Sequence, residues 1–266
     1  MVHESINKLT LRFCLFLLMQ LFVFNNIAFA NNSSYVALSG QIARKRQLEV
    51  VANNVANANT VGFEQDNLVF RAVDVKQNSR RANSFAWTET TYRSGDPGAL
   101  KVTNRPTDLA IVSKGYFKLA TPRGFRYTLD GAFMVNNQGV LVNAAGFPLM
   151  TPNNTAIEIP IDYREIQIGS TGSVFVDGDE IAQVGVFDFD TKDPIIKEGG
   201  NLYSIQGNDI PLEEFTLVSG SLRESNVNSA LAMAQMVEMQ RSYGIVTDMM
   251  SNIADLEKSA VSKLTK

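Results

Sequence analysis

The chain has 266 residues and a mass of 29.3 kDa, which allows one or two domains with a buried core. Its 24 Lys and Arg against 27 Asp and Glu give a net charge of −3, which excludes the broad basic surface that nucleic acid binding requires. The single histidine is His3 and the single cysteine is Cys14. The sequence after residue 14 therefore excludes a Ser-His-Asp triad, a thiol nucleophile, a disulfide and a thiolate zinc site.

Residues 1–30 have the pattern of an export signal. Lys8 and Arg12 accompany a mostly apolar run over residues 13–24, and Ala28 and Ala30 supply small residues before a cleavage point. The run is shorter than the roughly 20 residues that a membrane-spanning helix needs. Two other interpretations stay open, namely an uncleaved anchor that contacts the membrane through residues 13–24 and a wrongly placed start codon.

A first helix is predicted to begin near Ser34 and to span about 23 residues. Its apolar positions form one stripe that is offset by one residue halfway, as in a stutter of a helical repeat. The first half of the stripe is Tyr35, Leu38 and Ile42, and the second half is Leu48, Val51 and Val55.

Four asparagines crowd the end of this helix, in the run ANNVANANTVGF at residues 52–63. Asparagine lowers helix propensity because its amide competes for backbone hydrogen bonds. Asn53 and Asn57 are four residues apart on one face, where amides in a packed helical seam can fix the register. Asn59 and Gly62 suit the helix exit. The alternative is a run of surface amides that frays into a loop.

The middle of the chain has the composition of a β-rich domain. All eight prolines lie between Pro97 and Pro211, and short apolar runs between residues 101 and 205 are separated by turn signals, which predicts mostly antiparallel strands. Asp177-Gly178 is a hairpin signal, since a tight primed turn needs positive φ angles. The predicted strands are Leu109–Val112, Tyr116–Leu119, Arg126–Leu129, Ala132–Val135, Val140–Val142, Glu165–Ile168, Val174–Val176 and Ala182–Phe189.

The last segment carries the strongest periodic signal. Steps of four and three residues from Ala232 reach apolar side chains at nine of ten positions, which predicts a helix from about Val227 to Leu264 with a seam of 3.5-residue period. The first helix is too short to cover this seam. We expect the two ends to pair and then to bind neighbouring subunits. The seam residues are Met236, Met239, Tyr243, Val246, Met250 and Ile253.

These elements predict an α+β fold. Long N- and C-terminal helices pair as a coiled coil, and a central β-rich domain is inserted between them. The expected segments are a leader at 1–30, the first helix and its asparagine motif at 31–64, a linker region at 65–100, the β-rich domain at 101–211 and the last helix at 212–266.

Three ordered blocks resemble the flagellar rod and hook family. The run at residues 52–63 is similar to the family's N-terminal ANN.AN..T.GF signature. The central block, from Thr107-Asp108-Leu109 through Gly115-Tyr116-Phe117 to Tyr127-Thr128-Leu129-Asp130, resembles its LD.AI, G.GFF and YTR series. The block GSLRESNVN at residues 220–228, followed by Gln240-Arg241-Ser242-Tyr243, is similar to its G.LE.SNVN and Q-R-x-Y motifs.

The resemblance implies a structural subunit of the flagellar basal-body rod. Its terminal helices would form the inner tube of the axial drive shaft that transmits torque across the periplasm. Its partners would be other rod subunits, including copies of itself, and the flagellar type III export apparatus. The assembly residues it implies are Asn53, Asn54, Asn57, Thr60, Gly62 and Phe63 at the first helix exit, and Ser225, Asn226 and Asn228 before the last helix.

The chain departs from the family's pattern in three places. The chain has Asp190-Thr191-Lys192-Asp193-Pro194 where the family usually has Asn-Pro-x-Gly-Leu, which favours a proximal-rod member over a distal-rod one. Leu129 replaces the usual arginine of the YTR motif. The leader at 1–30 also conflicts with the family's export route, which uses no cleaved general secretory signal.

No catalytic, cofactor-binding or metal-binding residue is predicted. Asp188, Asp190 and Asp193 lack the glycine and the final glutamate of a calcium loop, and no phosphate-binding glycine pattern is present. No nucleic acid or small-molecule substrate is expected. The alternative from another class is a periplasmic β-domain enzyme or binding protein exported by the general secretory route, whose end helices form an ordinary hairpin.

Overall fold

The computed structural model describes residues 35–77, 81–190 and 195–264. The leader at 1–30, including the run at residues 13–24, lies outside the described residues. The fold is α+β, with a helix over residues 35–56 (α1), a β-rich region, and a long final helix (α2, Ser229–Leu264). Among the described helices, none is long and apolar enough to cross a membrane.

Seventeen strands are described between the two helices. They are β1 (Asp66–Gln77), β2 (Arg81–Arg93), β3 (Leu100–Val102), β4 (Leu109–Ile111), β5 (Tyr116–Thr121), β6 (Gly124–Thr128), β7 (Phe133–Val135), β8 (Leu141–Asn143), β9 (Ile166–Ile168), β10 (Ser173–Val176), β11 (Asp179–Gln183), β12 (Val186–Phe189), β13 (Ile195–Glu198), β14 (Leu202–Ile205), β15 (Asp209–Pro211), β16 (Leu217–Ser219) and β17 (Ser221–Arg223).

The chain divides into two compact units. The first contains the described parts of Met1–Ala52, Asn67–Tyr92 and Met233–Lys266, and the second contains Asn53–Asp66 and the described parts of Arg93–Ala232. In the first unit β1 and β2 form a two-stranded sheet. Residues 65–100, which were predicted to be a linker region, thus contain two strands of 12 and 13 residues.

The second unit is built around a six-stranded sheet in the order β13-β14-β6-β5-β12-β15, with the three-stranded sheet β11-β10-β9 and three strand pairs. The registers described in this unit are antiparallel, as predicted. The main core is mostly aliphatic with a few aromatic rings, and it gathers buried side chains such as Leu109, Phe117, Leu119, Leu141 and Val174. Burial of these apolar side chains is the main term that stabilises the unit.

The predicted hairpin at Asp177-Gly178 is confirmed. Asp177 has a φ of 51° and Gly178 a φ of 99°, as a tight primed turn requires, and β10 pairs with β11 across it. The prediction of one strand over Ala182–Phe189 is wrong. The backbone N–H of Val184 donates to Gly172 and that of Gly185 donates to Met150, so the chain leaves one sheet and joins another there.

A buried lysine lies in the central sheet. Lys118 on β5 is 2% exposed, and its ammonium group pairs with the Asp209 carboxylate and donates to the Asn154 side chain. The Nζ atom also lies 4.2 Å from the Phe125 ring centroid and 4.7 Å from that of Phe187. A carboxylate and two aromatic faces together compensate for the desolvation of this charge.

Candidate assembly site at the helix junction

The exit of α1 is stabilised by its own asparagines. The Asn57 side chain donates to the Asn53 carbonyl oxygen at 2.9 Å and to its amide oxygen at 3.3 Å, and the Thr60 hydroxyl donates to the Asn57 amide oxygen at 3.2 Å. The two amides that the sequence places on one face therefore contact each other. Together with Thr60 they satisfy polar groups where the helix ends.

Asn54 fixes the start of β1. Its side chain is buried, donates to the backbone oxygen of Asp66 at 2.8 Å and accepts from the backbone N–H of Asp66 at 3.0 Å. This pair of hydrogen bonds reproduces the pairing of a neighbouring strand. One amide therefore sets the position of the chain twelve residues further on.

Gly62 permits a close backbone contact. Its φ is 67°, its N–H donates to the Arg223 carbonyl oxygen at 2.7 Å, and a Cβ atom there would lie 2.4 Å from the backbone of Leu129. Both the positive φ and the lack of space require glycine. Gly62 contacts only the backbone of Leu129. The contact therefore does not depend on whether leucine or the family's usual arginine stands at position 129.

Phe63 is the apolar centre of the junction. Its ring is 3% exposed and packs in one cluster with Val227 and Ala232, against which Val55 and Ala58 also pack. The Lys197 ammonium group lies 3.9 Å from the ring centroid. This cluster joins the exit of α1 to the beginning of α2.

Asn226 holds three backbone segments together. Its side-chain oxygen accepts from the Gln65 N–H at 2.7 Å, and its side-chain nitrogen donates to the Asp96 carbonyl at 2.8 Å and the Ser94 carbonyl at 3.4 Å. Nearby, Asn228 caps α2 by accepting from the Leu231 N–H at 3.1 Å. The Ser225 hydroxyl accepts from the Val227 N–H at 3.3 Å.

Two ion pairs in the junction were not predicted from the sequence. Arg223 and Glu64 are both buried, with 2.9 Å between the guanidinium and the carboxylate, and they are 159 residues apart. Lys197 lies 2.8 Å from the Asp66 carboxylate. Sequence offers no periodic signal for such pairs, although both acidic residues closely follow the ANN motif.

The first unit contains the seam. The six seam residues, from Met236 to Ile253, are all half-buried, and most of the other residues on this part of α2 are exposed. The Gln41 side chain donates to the Thr247 hydroxyl at 3.1 Å, which is a direct contact between α1 and α2. In the part of α1 that belongs to the first unit Ala43 is buried, whereas Tyr35, Leu38 and Ile42 are exposed.

Among the described residues no three His, Cys, Asp or Glu side chains cluster so that they could hold a metal ion. The assembly residues predicted from sequence fall into two places, the nine junction residues in the second unit and the six seam residues in the first. Their role in assembly stays a prediction.

A β-rich region that lies between two terminal helices in the chain, with an apolar seam along the second helix, is the organisation expected of a structural subunit. Three family models match in chain order: the flagella basal body rod protein at residues 35–63, the flagellar hook protein FlgE/F/G D1 domain at 110–176, and the flagellar basal body rod FlgEFG protein C-terminal region at 218–263. The chain belongs to the flagellar basal-body rod protein family.

Curated relatives cover nearly the whole chain. The flagellar basal-body rod protein FlgF of Caulobacter vibrioides is 34% identical over 242 residues, covering 89% of this chain and 99% of the relative. FlgF of Mesorhizobium japonicum is 31% identical, covering 88% and 98%. The rod protein FlgG of Bacillus subtilis is 32% identical, covering 79% and 90%.

Proposed function

We propose that this chain is a proximal-rod subunit of the FlgF type, which assembles through its two terminal helices. As a member of the rod family it is a structural subunit of the flagellar basal-body rod and is located in the basal body. The FlgF relatives support the proximal assignment because they match over almost their full length. A distal-rod, FlgG-type subunit is the alternative that the FlgG relatives favour.

The observation that carries the proposal is the half-buried seam of α2. This helix has 36 residues and extends about 54 Å, whereas residues 35–56 of α1 extend about 33 Å. We propose that α1 and α2 pair as a coiled coil along part of the seam. Neighbouring rod subunits would cover the rest, because a long amphipathic helix needs a partner along its apolar face.

Shared helices would give the rod its stiffness. Twisting a shaft of axial helices would expose many buried side chains at once. At about 25 cal/mol per Å² of apolar surface, a few hundred Å² per contact are worth several kcal/mol before ordering costs. Heterologous contacts that do not close then generate a helical shaft, which suits torque transmission.

The remaining assignments are also proposals. The partners would be other rod subunits, the flagellar export apparatus and, if the leader is retained, a membrane surface that residues 13–24 contact. We propose no enzymatic activity, cofactor or small-molecule substrate. The functional segments would be the leader at 1–30, the segment 31–64 with the first rod helix and its asparagine motif, the segment 65–100 that carries β1 and β2, the β-rich domain at 101–211 and the segment 212–266 with the last rod helix.

Mass spectrometry of purified hook–basal bodies tests the proposal. The chain should be recovered with the rod fraction, and the mass of its first peptide should report whether residues 1–30 are retained. Absence from basal bodies, together with a free periplasmic monomer whose ends resist proteases, would support the secreted β-domain alternative and overturn the proposal.

A further inference from the structure

We infer that Lys118 and Asn154 react with each other in the folded chain and form an intramolecular isopeptide bond, with Asp209 as the group that carries the proton. All three residues belong to the second unit, so the reaction needs no partner chain and does not depend on the proposed rod function. The three side chains take no part in the junction or the seam. The reaction occurs once per chain and has no outside substrate.

The Lys118 amine is held against both other groups. Its Nζ atom lies 2.5 Å from Oδ1 of Asn154 and 2.5 Å from Oδ2 of Asp209. Because a C=O bond is about 1.23 Å long, the Asn154 Cγ atom lies at most about 3.7 Å from the same Nζ atom. Reacting atoms are about 3–3.5 Å apart in a geometry that is ready for attack. The amine is therefore close to attack distance from a carbonyl carbon.

The surroundings of Lys118 favour the nucleophilic form of its amine. The residue is 2% exposed, and the Phe125 and Phe187 rings lie on either side of the ion pair, 4.2 and 4.7 Å from Nζ. Transfer of a proton from the ammonium group to the Asp209 carboxylate leaves two neutral groups, which apolar surroundings disfavour far less than two charges. An uncharged amine beside a base is the form in which lysine acts as a nucleophile.

Backbone hydrogen bonds hold the Asn154 turn beside the lysine. The Asn154 N–H donates to the Thr151 carbonyl oxygen at 3.0 Å, and the hydroxyl groups of Thr151 and Thr155 lie 2.7 Å apart. The same segment is bonded to the strand that carries the lysine, because the Met150 N–H donates to the Lys118 carbonyl oxygen at 3.0 Å. The carboxamide is thus positioned by the fold and needs little further ordering to react.

Asp209 is also positioned by the fold. It lies on β15, opposite Phe189 of β12. The Tyr127 hydroxyl donates to its carboxylate, and burial, together with the Asp209 charge, raises the pKa of Tyr127, so this donor stays protonated. A fixed carboxylate that contacts the amine can accept its proton and later return that proton to the leaving group.

The reaction balances within the chain. Asp209 takes one proton from the Lys118 ammonium group, and the neutral amine attacks Cγ of Asn154, so that a new C–N bond forms. The bond from Cγ to the amide nitrogen breaks as Asp209 gives its proton to that nitrogen, which leaves as ammonia. The new linkage loses its remaining extra proton to the ammonia, giving a secondary amide, an ammonium ion and the original Asp209 carboxylate. No oxidant or other co-reactant is required.

The bond has a structural consequence. It joins β5 to a turn 36 residues later and closes the intervening chain into a covalent loop. Such a link restricts the unfolded chain as a disulfide does, in a sequence whose single cysteine is Cys14. It can form only after the second unit folds, because only the tertiary fold brings the three groups together.

Peptide mass spectrometry of the purified full chain tests the bond. After digestion with trypsin, residues 115–123 should remain uncleaved at Lys118 and be joined to residues 127–164 in one branched peptide. Its mass should be lower by one ammonia than the sum of the two peptides, and fragmentation should locate the link at Lys118 and Asn154. Two linear peptides, with cleavage after Lys118, would overturn the inference whether or not the chain is found in basal bodies.

Matched variants test the reacting groups. Asn154→Ala should abolish the branched peptide, whereas Asn153→Ala, at the exposed neighbouring position, should retain it. A branched peptide in Asn154→Ala, or a link from Lys118 to Asp209 with loss of one water in the parent chain, would contradict Asn154 as the reacting partner.

Asp209→Asn tests the proton carrier. The cross-linked fraction should fall at least several-fold in this variant, with circular dichroism confirming that its β-rich unit is folded. An unchanged fraction would contradict the role of Asp209. If the variant does not fold, the peptides of the parent chain and of Asn154→Ala still decide whether the bond forms.

Discussion

Asn54 and Asp66 exchange two hydrogen bonds, in which the side chain of one residue pairs with both backbone polar groups of the other, at 2.8 and 3.0 Å. This relationship links the last turns of α1 to the first residue of β1 within the second unit. It gives the ANN motif a physical reason. The middle asparagine is buried and acts as a strand partner, so an aliphatic side chain could not replace it.

The first prediction concerns this pair. Asn54→Ala should lower the free energy of unfolding by about 2 kcal/mol, because the substitution leaves two backbone groups without these partners. Asn59→Ala, in the same motif but exposed, should change it by less than about 0.5 kcal/mol. Urea unfolding of the full chain measures both. If the two substitutions lower the free energy of unfolding equally, the Asn54 hydrogen bonds do not contribute specifically to stability.

The second prediction concerns Gly62. Gly62→Ala should destabilise the second unit by more than about 3 kcal/mol, because the added methyl group meets the Leu129 backbone in addition to the cost of a positive φ. Gly146→Ala is the matched control, since Gly146 has a φ of 83° and open space around it. Its cost should stay near 1 kcal/mol. Thermal unfolding of both variants separates the destabilisation caused by the close contact from the destabilisation caused by the positive φ.

The third prediction concerns the buried pair Glu64–Arg223. Glu64→Leu and Arg223→Met should each cost about 3 kcal/mol, because each leaves an uncompensated buried charge. The double variant should be clearly more stable than the sum of the two losses predicts. A double-mutant cycle by denaturant unfolding gives the coupling energy. Additive losses would show that the two side chains act independently.

The fourth prediction concerns the pH dependence that Asp130 confers. Burial, with a smaller contribution from the Asp108 charge, raises the pKa of Asp130 above its ordinary value, although the Ala132 N–H acts in the opposite direction. Above pH 4 the folded state therefore binds more protons at this site than the unfolded state does. The contribution of Asp130 to stability is thus highest at low pH and falls as the pH rises through the folded-state pKa.

Asp130→Asn tests that sign. The amide keeps an oxygen that can accept from Ala132 and carries no charge, so the variant should be more stable than the parent chain at pH 7. The difference should shrink as the pH falls through the folded-state pKa towards the ordinary carboxyl value, below which the parent carboxyl is protonated in both states. Paired unfolding measurements at several pH values provide the test. A parent chain that is the more stable one at pH 7 would contradict the sign.

Sequence predicted the elements whose signal is periodic or local. The predicted helix from about Val227 to Leu264 agrees with α2, and Asp177-Gly178 forms the expected turn. It missed strands such as β13 and β14, which are short and flank a polar loop. The pairing of such strands depends on neighbours distant in the chain, so their own residues carry little signal.

Long-range polar contacts could not be predicted from patterns in the sequence. Lysine is rarely buried in proteins, yet Lys118 is buried against Asp209, 91 residues later. The Glu64–Arg223 pair likewise joins residues that only the tertiary fold brings together. Asn54 and Asn226 could be singled out because the motif resemblance marked them. Their backbone partners follow only from the structure.

The assembly of a seam variant tests the central claim most directly. Hook–basal bodies should be purified from cells that express the parent chain, Met250→Asp on the seam, or Ser251→Asp on an exposed position beside it. We predict that the parent and Ser251→Asp chains enter the rod. The Met250→Asp chain should be absent from it and its cells should not swim, while its β-rich unit stays folded by circular dichroism. Normal rods and normal swimming with Met250→Asp would contradict assembly through the apolar seam of the last helix.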